Sequence, residues 1–285
     1  MEGTSQPTFE GHGIRGHLRL VCEPDSRGVP ILREQSFRAP IHLSKPHLDA
    51  DTLVLNVINP TAGLMEDDRI EQEITVRNGG RLLITSPSAS RAHRVRNGWA
   101  AVSQTFRVNT GSFLEVLPEM FIPQAGAVYR QKTELRVEED AELLFFESLA
   151  PGRVASGEAF QYSSLDWQTD LIIGRQQIVR ERYFITPKSG SITALRRLFA
   201  TAYYGSMIAV SPKLKADTTF LPSIQEMQSQ QLWIGQSPLC QRNAISVKWI
   251  SENAMQLRVA QDTIRNAIYK SLGKQAPDLR RIVGR

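Results

Sequence analysis

Three segments of this 285-residue chain repeat one pattern, and that pattern constrains the fold more than anything else in the sequence. They are Glu73–Thr85 (EITVRNGGRLLIT), Thr105–Leu117 (TFRVNTGSFLEVL) and Glu134–Phe146 (ELRVEEDAELLFF). Each reads as strand, turn, strand. Val76, Val108 and Val137 hold equivalent places, three residues before Gly79, Gly111 and Asp140. The turn residues Asn78-Gly79-Gly80, Thr110-Gly111 and Glu139-Asp140 suit a tight reversal, through positive φ or side-chain capping of the turn. The repeats start about 30 residues apart, a period at which self-similarity marks stacked supersecondary units. A stack of β units builds a long, stiff surface and does not by itself build a catalytic pocket. Few identities are shared, so unrelated amphipathic hairpins are the competing reading.

The surrounding sequence supports strands. Ile70, Ile74 and Val76 alternate with Arg69, Glu71, Glu73, Thr75 and Arg77, and Val102, Phe106 and Val108 with Ser103, Thr105 and Arg107. Leu165, Trp167, Leu171 and Ile173 do the same. Period two means one buried and one wetted face. Short strands separated by Gly and Asn turns predict an all-β body, a β-helix-like or solenoid stack, over about residues 10–187. Within its proline-broken start, Arg15–Cys22 reads as part of a hairpin. Residues 188–285 read as a mixed C-terminal part of the same single domain, which holds most of the few helices. Ser191–Tyr204 admits two readings: a helix capped by Ser191 with Ile192, Leu195, Phe199 and Ala202 on one face, or a strand leading into Val210. Pro212–Pro238 is polar and Gln-rich and reads as loop and weak helix, and Ile245–Ile250 as a short strand. Ser251–Leu272 carries Leu257, Ala260, Ile264, Ile268 and Leu272 at spacings of three and four, and Gly273 then Pro277 stop it: an amphipathic helix.

Composition excludes several classes. Hydrophobic content of 41% and charged content of 22% are those of a soluble globular protein, with no apolar run long enough to span a membrane and no secretory leader pattern. Cys22 and Cys240 form no CxxC and no disulfide framework, which fits a reducing cytoplasm. The net charge of +5 is not gathered into a basic stripe interleaved with aromatics, so nucleic acid is not an expected partner; acidic protein partners fit the surplus better. No Gly-x-Ser-x-Gly, Walker A or HExxH pattern occurs.

Four further motifs follow in order: Asn59-Pro60-Thr61-Ala62-Gly63-Leu64 with Asp68-Arg69-Ile70; Leu83-Ile84-Thr85 with Arg94; Leu114-Glu115-Val116-Leu117-Pro118 with Ile122-Pro123; and Phe146-Glu147-Ser148-Leu149 with Gly152-Arg153, Ala155 and Gly157-Glu158-Ala159-Phe160. Together they resemble the urease accessory protein UreD family, also called UreH. The chain departs from the family pattern at Ala62, Asp67, Arg91, His93 and Val116, and its Glu66-Asp67-Asp68 turn is more acidic. The resemblance implies a maturation scaffold or chaperone rather than an enzyme. Such a protein binds apo-urease and the accessory F subunit, meets the G-subunit GTPase through the F subunit, and holds no cofactor tightly while nickel passes in transit.

For that chemistry the residues offer oxygen rather than nitrogen ligands. His12, His17, His42, His47 and His93 form no HxH or HxxxH pair. Nickel in transit needs weak ligands, since a tight site traps it. Asp67, Asp68, Glu71, Glu115, Glu147 and Glu158 are the acidic candidates, with Glu158 and Asp68 first because they match acidic positions of the family motifs. Four have a structural alternative: a solvated turn for Asp67 and Asp68, an interface or core salt bridge for Glu115, an ion pair of Glu158 with Arg153. Gly63, Arg94, Gly152, Arg153 and Gly157 read as backbone and motif requirements. Two other functions stay open: a β-helix polysaccharide hydrolase or lyase using paired carboxylates such as Asp67 with Asp68 or Glu147 with Glu158, and a β-scaffold of another assembly.

Overall fold

In the computed structural model, which describes residues 13–190, 192–214, 224–239 and 243–279, the three repeats form three successive turns of one coil. In chain order the strands are β1 (Arg15–Pro24), β2 (Pro30–Arg38), β3 (His42–Leu43), β4 (His47–Asp49), β5 (Thr52–Ile58), β6 (Arg69–Val76), β7 (Arg81–Thr85), β8 (Ser90–Ala92) and β9 (Ala100–Val108). They continue as β10 (Phe113–Leu117), β11 (Phe121–Pro123), β12 (Val128–Val137), β13 (Glu142–Leu149), β14 (Ser164–Ile173) and β15 (Gln176–Ile185). After a short helix α1 (Thr193–Leu198) come β16 (Tyr203–Val210), β17 (Leu232–Pro238), β18 (Ala244–Ser251) and the long helix α2 (Ala254–Ser271).

Among the described residues the strands make two sheets. Seven strands run in the order β15-β14-β12-β9-β6-β1-β2; the main path of the eleven-stranded sheet is β17-β18-β16-β13-β10-β7-β5-β3. Each repeat gives its first strand to the seven-stranded sheet and its second to the other, and within each sheet these strands are parallel. Val76 pairs in register with Val108, and Val108 with Val137, so the equivalent valines of the sequence form one stacked row. The turns continue the stack: Asn109 N–H donates to Val76 O and Glu138 N–H to Val108 O, each at 2.9 Å. This is the β-solenoid-like, mainly β arrangement that the repeats predict. The hairpins β1–β2 and β14–β15 flank the seven-stranded sheet, and β16, β18 and β17 extend the other by antiparallel pairing from β13.

The layers are sheet, sheet, helix. The inner faces of the two sheets enclose one apolar core, and α2 covers the other face of the eleven-stranded sheet to make a second. β10 and most of β7 and β13 are therefore buried on both faces, which is why LLIT, FLEVL and ELLFF read as continuous apolar runs. The seven-stranded sheet buries one face only, and its strands alternate.

Three local expectations are refined. The stretch with two readings contains both elements, α1 and then β16, with Ser191 outside the described residues. The Gln-rich stretch expected to be loop and weak helix has a helical turn from Ile224, as expected, but also gives a strand, β17, from Leu232. It forms because β18 offers an open edge, and its largely wetted outer side needs no apolar alternation; residues 215–223 lie outside the described set. The long helix starts after Asn253, whose side chain accepts from Gln256 N–H at 2.7 Å, while Ser251 ends β18. Cys22 is a buried free thiol with its pKa pushed up to about 12 by burial, and Cys240 lies outside the described residues. No described helix is long and apolar enough to cross a membrane.

Candidate functional site

The alternating strands of the seven-stranded sheet carry an inward polar row. Gln72 pairs in register with Gln104, Gln104 with Thr133, and Thr133 with Thr169. One step further in, the row of Ile74, Phe106, Leu135 and Leu171 is wholly apolar. Polar groups inside a core need partners, and here they bond to each other. Gln104 Nε2 donates to Gln72 Oε1 at 3.4 Å, Thr133 Oγ1 to Gln104 Oε1 at 3.0 Å, and Gln131 Nε2 to Thr133 Oγ1 at 3.3 Å. Tyr129 OH donates to Gln131 Oε1 at 2.7 Å.

The chain of hydrogen bonds ends on Glu147, which enters from β13 on the opposite sheet. Its Oε1 accepts from Gln131 Nε2 at 2.8 Å and Trp167 Nε1 at 2.9 Å, and its Oε2 from Thr169 Oγ1 at 3.2 Å. All three donors are neutral. Burial pushes the carboxyl up to about 7, against the lowering effect of the Trp167 and Thr169 hydrogen bonds. Glu147 is half-buried and keeps some accessible surface, because it lines two cavities.

The larger cavity, about 260 Å³, is where the sequence motifs meet. Asn59–Leu64 supplies one wall, Ile84–Arg91 a second, Val116 and Pro118 a third, and Phe145, Glu147 and Ser148 the fourth, beside Gln72, Gln104 and Gln131. Gly63 allows two of these segments to close on each other: at φ 139° a Cβ there would lie 2.7 Å from Arg91 O, and Leu64 N–H donates to that oxygen at 2.8 Å. A second cavity of about 190 Å³ adjoins the first and shares Glu147, Ser148 and Trp167 with it.

The other five acidic candidates lie elsewhere. Asp68 is buried and accepts from Ile14 N–H at 2.7 Å and Met65 N–H at 2.8 Å. Asp67 sits at positive φ in the same turn, 3.6 Å from Arg69. Their neighbour Glu66, which the sequence reading did not single out, accepts three successive backbone N–H groups, Arg96, Asn97 and Gly98, at 2.7–2.8 Å; with burial opposing, they hold its pKa below the usual value. Glu71 is exposed on the outer face of β6. Glu115 is fully buried under α2, with Arg265 Nε at 2.6 Å, Arg265 Nη2 at 2.9 Å and Tyr269 OH at 2.6 Å. Burial opposes the charge on Arg265, but the Glu115 carboxylate outweighs it and lifts the guanidinium pKa above its ordinary value.

Glu158 is paired with Arg153 through both oxygens and accepts from Ala125 N–H at 3.1 Å; the Arg153 hydrogen bond first, then the backbone, hold it at about 2. Arg94 adds its charge nearby. Gly152 permits this corner: at φ 139°, a Cβ would stand 2.2 Å from Glu158 O. Gly157 closes the short turn Val154–Ser156. Among the described residues no three His, Cys, Asp or Glu side chains are grouped to hold a metal ion.

The inward polar row was detectable in the sequence. Gln72, Gln104, Thr133 and Thr169 each stand two residues before Ile74, Phe106, Leu135 and Leu171, in the buried phase of the alternation. A polar residue recurring at one inward position is the signal.

A family model described as "UreD urease accessory protein" matches residues 14–283. A urease accessory protein UreD of Opitutus terrae is 37% identical over 94% of this chain and 98% of its own length. A UreD of Acetivibrio thermocellus is 32% identical over 57% of this chain and 63% of its own length. A urease accessory protein UreH of Helicobacter acinonychis is 24% identical over 70% of this chain and 76% of its own. With its four motifs gathered on one cavity and a family match across nearly all its length, the chain belongs to the UreD family of urease accessory proteins.

Proposed function

We propose that this chain is a non-catalytic scaffold of urease maturation, which binds apo-urease and the accessory F subunit and reaches the G-subunit GTPase through the latter. Nickel, as cargo, enters the larger cavity and meets Glu147 there, with the amide and hydroxyl oxygens around it as weak ligands. One observation carries this: of the six acidic candidates, Glu147 alone lines the cavity on which the family motifs converge. Asp68, Glu115 and Glu158 are engaged by backbone N–H groups, by Arg265 with Tyr269, and by Arg153, so a passing cation competes with bonds already made. A carboxyl near neutrality, held only by neutral donors, takes up and gives back a divalent cation without trapping it. The chain binds nickel in passing and keeps no cofactor.

The test is co-purification of the full chain with apo-urease and the F subunit, followed by the nickel content of the urease matured. Retention of both partners is expected. A folded chain that retains neither overturns the scaffold.

A further inference from the structure

The two cavities that meet at Glu147 differ in character. The larger mixes glutamines, serines, threonines, Asn59, Arg91 and Glu119 with apolar side chains such as Ile84 and Phe106. Beyond Glu147 and Trp167 the second is walled by Phe160, Leu165, Ile185, Ile192, Leu195 and Ile250, and its lining surface is almost wholly apolar. The Tyr183 and Tyr204 hydroxyls on its wall are already engaged. Tyr183 OH and Tyr204 OH bond each other at 2.8 Å, and Lys248 Nζ donates to them at 2.6 and 3.3 Å and to Glu181 Oε2 at 2.5 Å. The ion pair of Lys248 with Glu181 therefore backs one wall of the chamber.

An apolar lining holds water weakly, and an apolar molecule of suitable size displaces it. A hydrated divalent ion moving from the first cavity into the second loses water and gains, beyond Glu147, little more than the Ser148 hydroxyl as an oxygen ligand. A carboxylate has about four lone-pair positions, and Glu147 uses three on protein donors. One position is left for a single N–H or O–H of a guest.

We propose that this chamber is a binding site for a small, uncharged, largely apolar molecule of one-ring size, and that cations do not enter it. The nickel reading of the first cavity is the frame for the second clause only. Benzene is the probe. Titrated into the full chain, it should raise the midpoint of thermal unfolding in a concentration-dependent way. Ala202 lines the chamber, and Ala202→Phe should fill the space and abolish the shift. Xenon under pressure, located by diffraction, is the second measurement and needs no variant. It should appear among Phe160, Leu165 and Ile192.

Absence of a benzene shift in the native chain, a shift undiminished in a folded Ala202→Phe variant, or xenon found only outside the chamber overturns the site. Nickel delivered to urease is read separately. A folded Ala202→Phe variant should deliver nickel at the native level, and a several-fold loss would put cations in the chamber and overturn their exclusion. Failure of nickel delivery by the native complex strikes the scaffold reading instead and leaves benzene binding untouched.

Discussion

Glu115 and Glu147 stand on neighbouring strands of one sheet, β10 and β13, and the protein treats them in opposite ways. Glu115 faces α2 in a row with Val54, Leu83, Leu144 and Ala209, all apolar. Arg265 neutralises it and Tyr269 completes its hydrogen bonds. Glu147 faces the other sheet, receives only neutral donors, and touches open space. A buried carboxylate sealed by a guanidinium is a fixture, whereas one left with neutral partners beside a cavity keeps its proton labile. The same sheet thus presents a structural face and a chemical face.

The largest expected effect tests the structural face. Glu115→Ala leaves the Arg265 guanidinium buried without its partner, which costs about 3–5 kcal/mol. Urea unfolding of the variant should show a midpoint far below that of the native chain. Replacing Glu115 and Arg265 together with Leu and Met should recover most of the loss, since an apolar pair suits the surrounding core. A Glu115→Ala variant of native stability would remove the contrast.

The next effect concerns pH. The folded chain holds Glu147 up to about 7, above the ordinary 4.5, so between these values it binds more protons than the unfolded chain. Stability from this group is therefore full below about 4.5 and lost as pH rises through 7, a penalty of up to about 3 kcal/mol. Glu147→Gln should remove that slope and be relatively more stable than the native chain at pH 8 than at pH 5. Parallel stability curves for the two would mean that Glu147 is already ionised at pH 5.

The smallest effect is at Glu158. Its pair with Arg153 is largely at the surface and counts for little at neutral pH, so Glu158→Gln should unfold at nearly the native midpoint. The pair's contribution is present above the ordinary carboxylate pKa and disappears as pH falls toward about 2. A large loss at pH 7 would make this corner as structural as the Glu115 cluster.

These contrasts were unequally legible in the sequence. The solenoid body showed itself because one face of the seven-stranded sheet is wet, and a half-buried strand must alternate. The long helix showed itself through Leu257, Ala260, Ile264 and Ile268, all buried. Arg265 did not, because a charge beside an apolar stripe reads as solvated surface; its burial depends on Glu115, 150 positions earlier in the chain. Glu115 could be suspected from its place inside FLEVL, but whether it met solvent, a partner or an arginine is set by the third layer. As a motif acid Glu158 stood ahead of Glu147, because it matches an acidic position of the family motifs. What separates them is that Glu147 lies on the inner face of β13, opposite the other sheet, while Glu158 lies in a loop, and sequence order does not carry this. The strand β17 stayed hidden because its pairing edge, not its own pattern, makes it a strand.

The most direct measurement is the nickel content of urease matured with a Glu147→Gln chain in place of the native one, with assembly of the accessory complex checked by co-purification. The amide keeps the shape of the group and removes its charge. The expected result is an intact complex and urease holding several-fold less nickel. Urease fully loaded with nickel by an intact Glu147→Gln complex would contradict the role given to the carboxylate and leave Glu147 as one more structural acid.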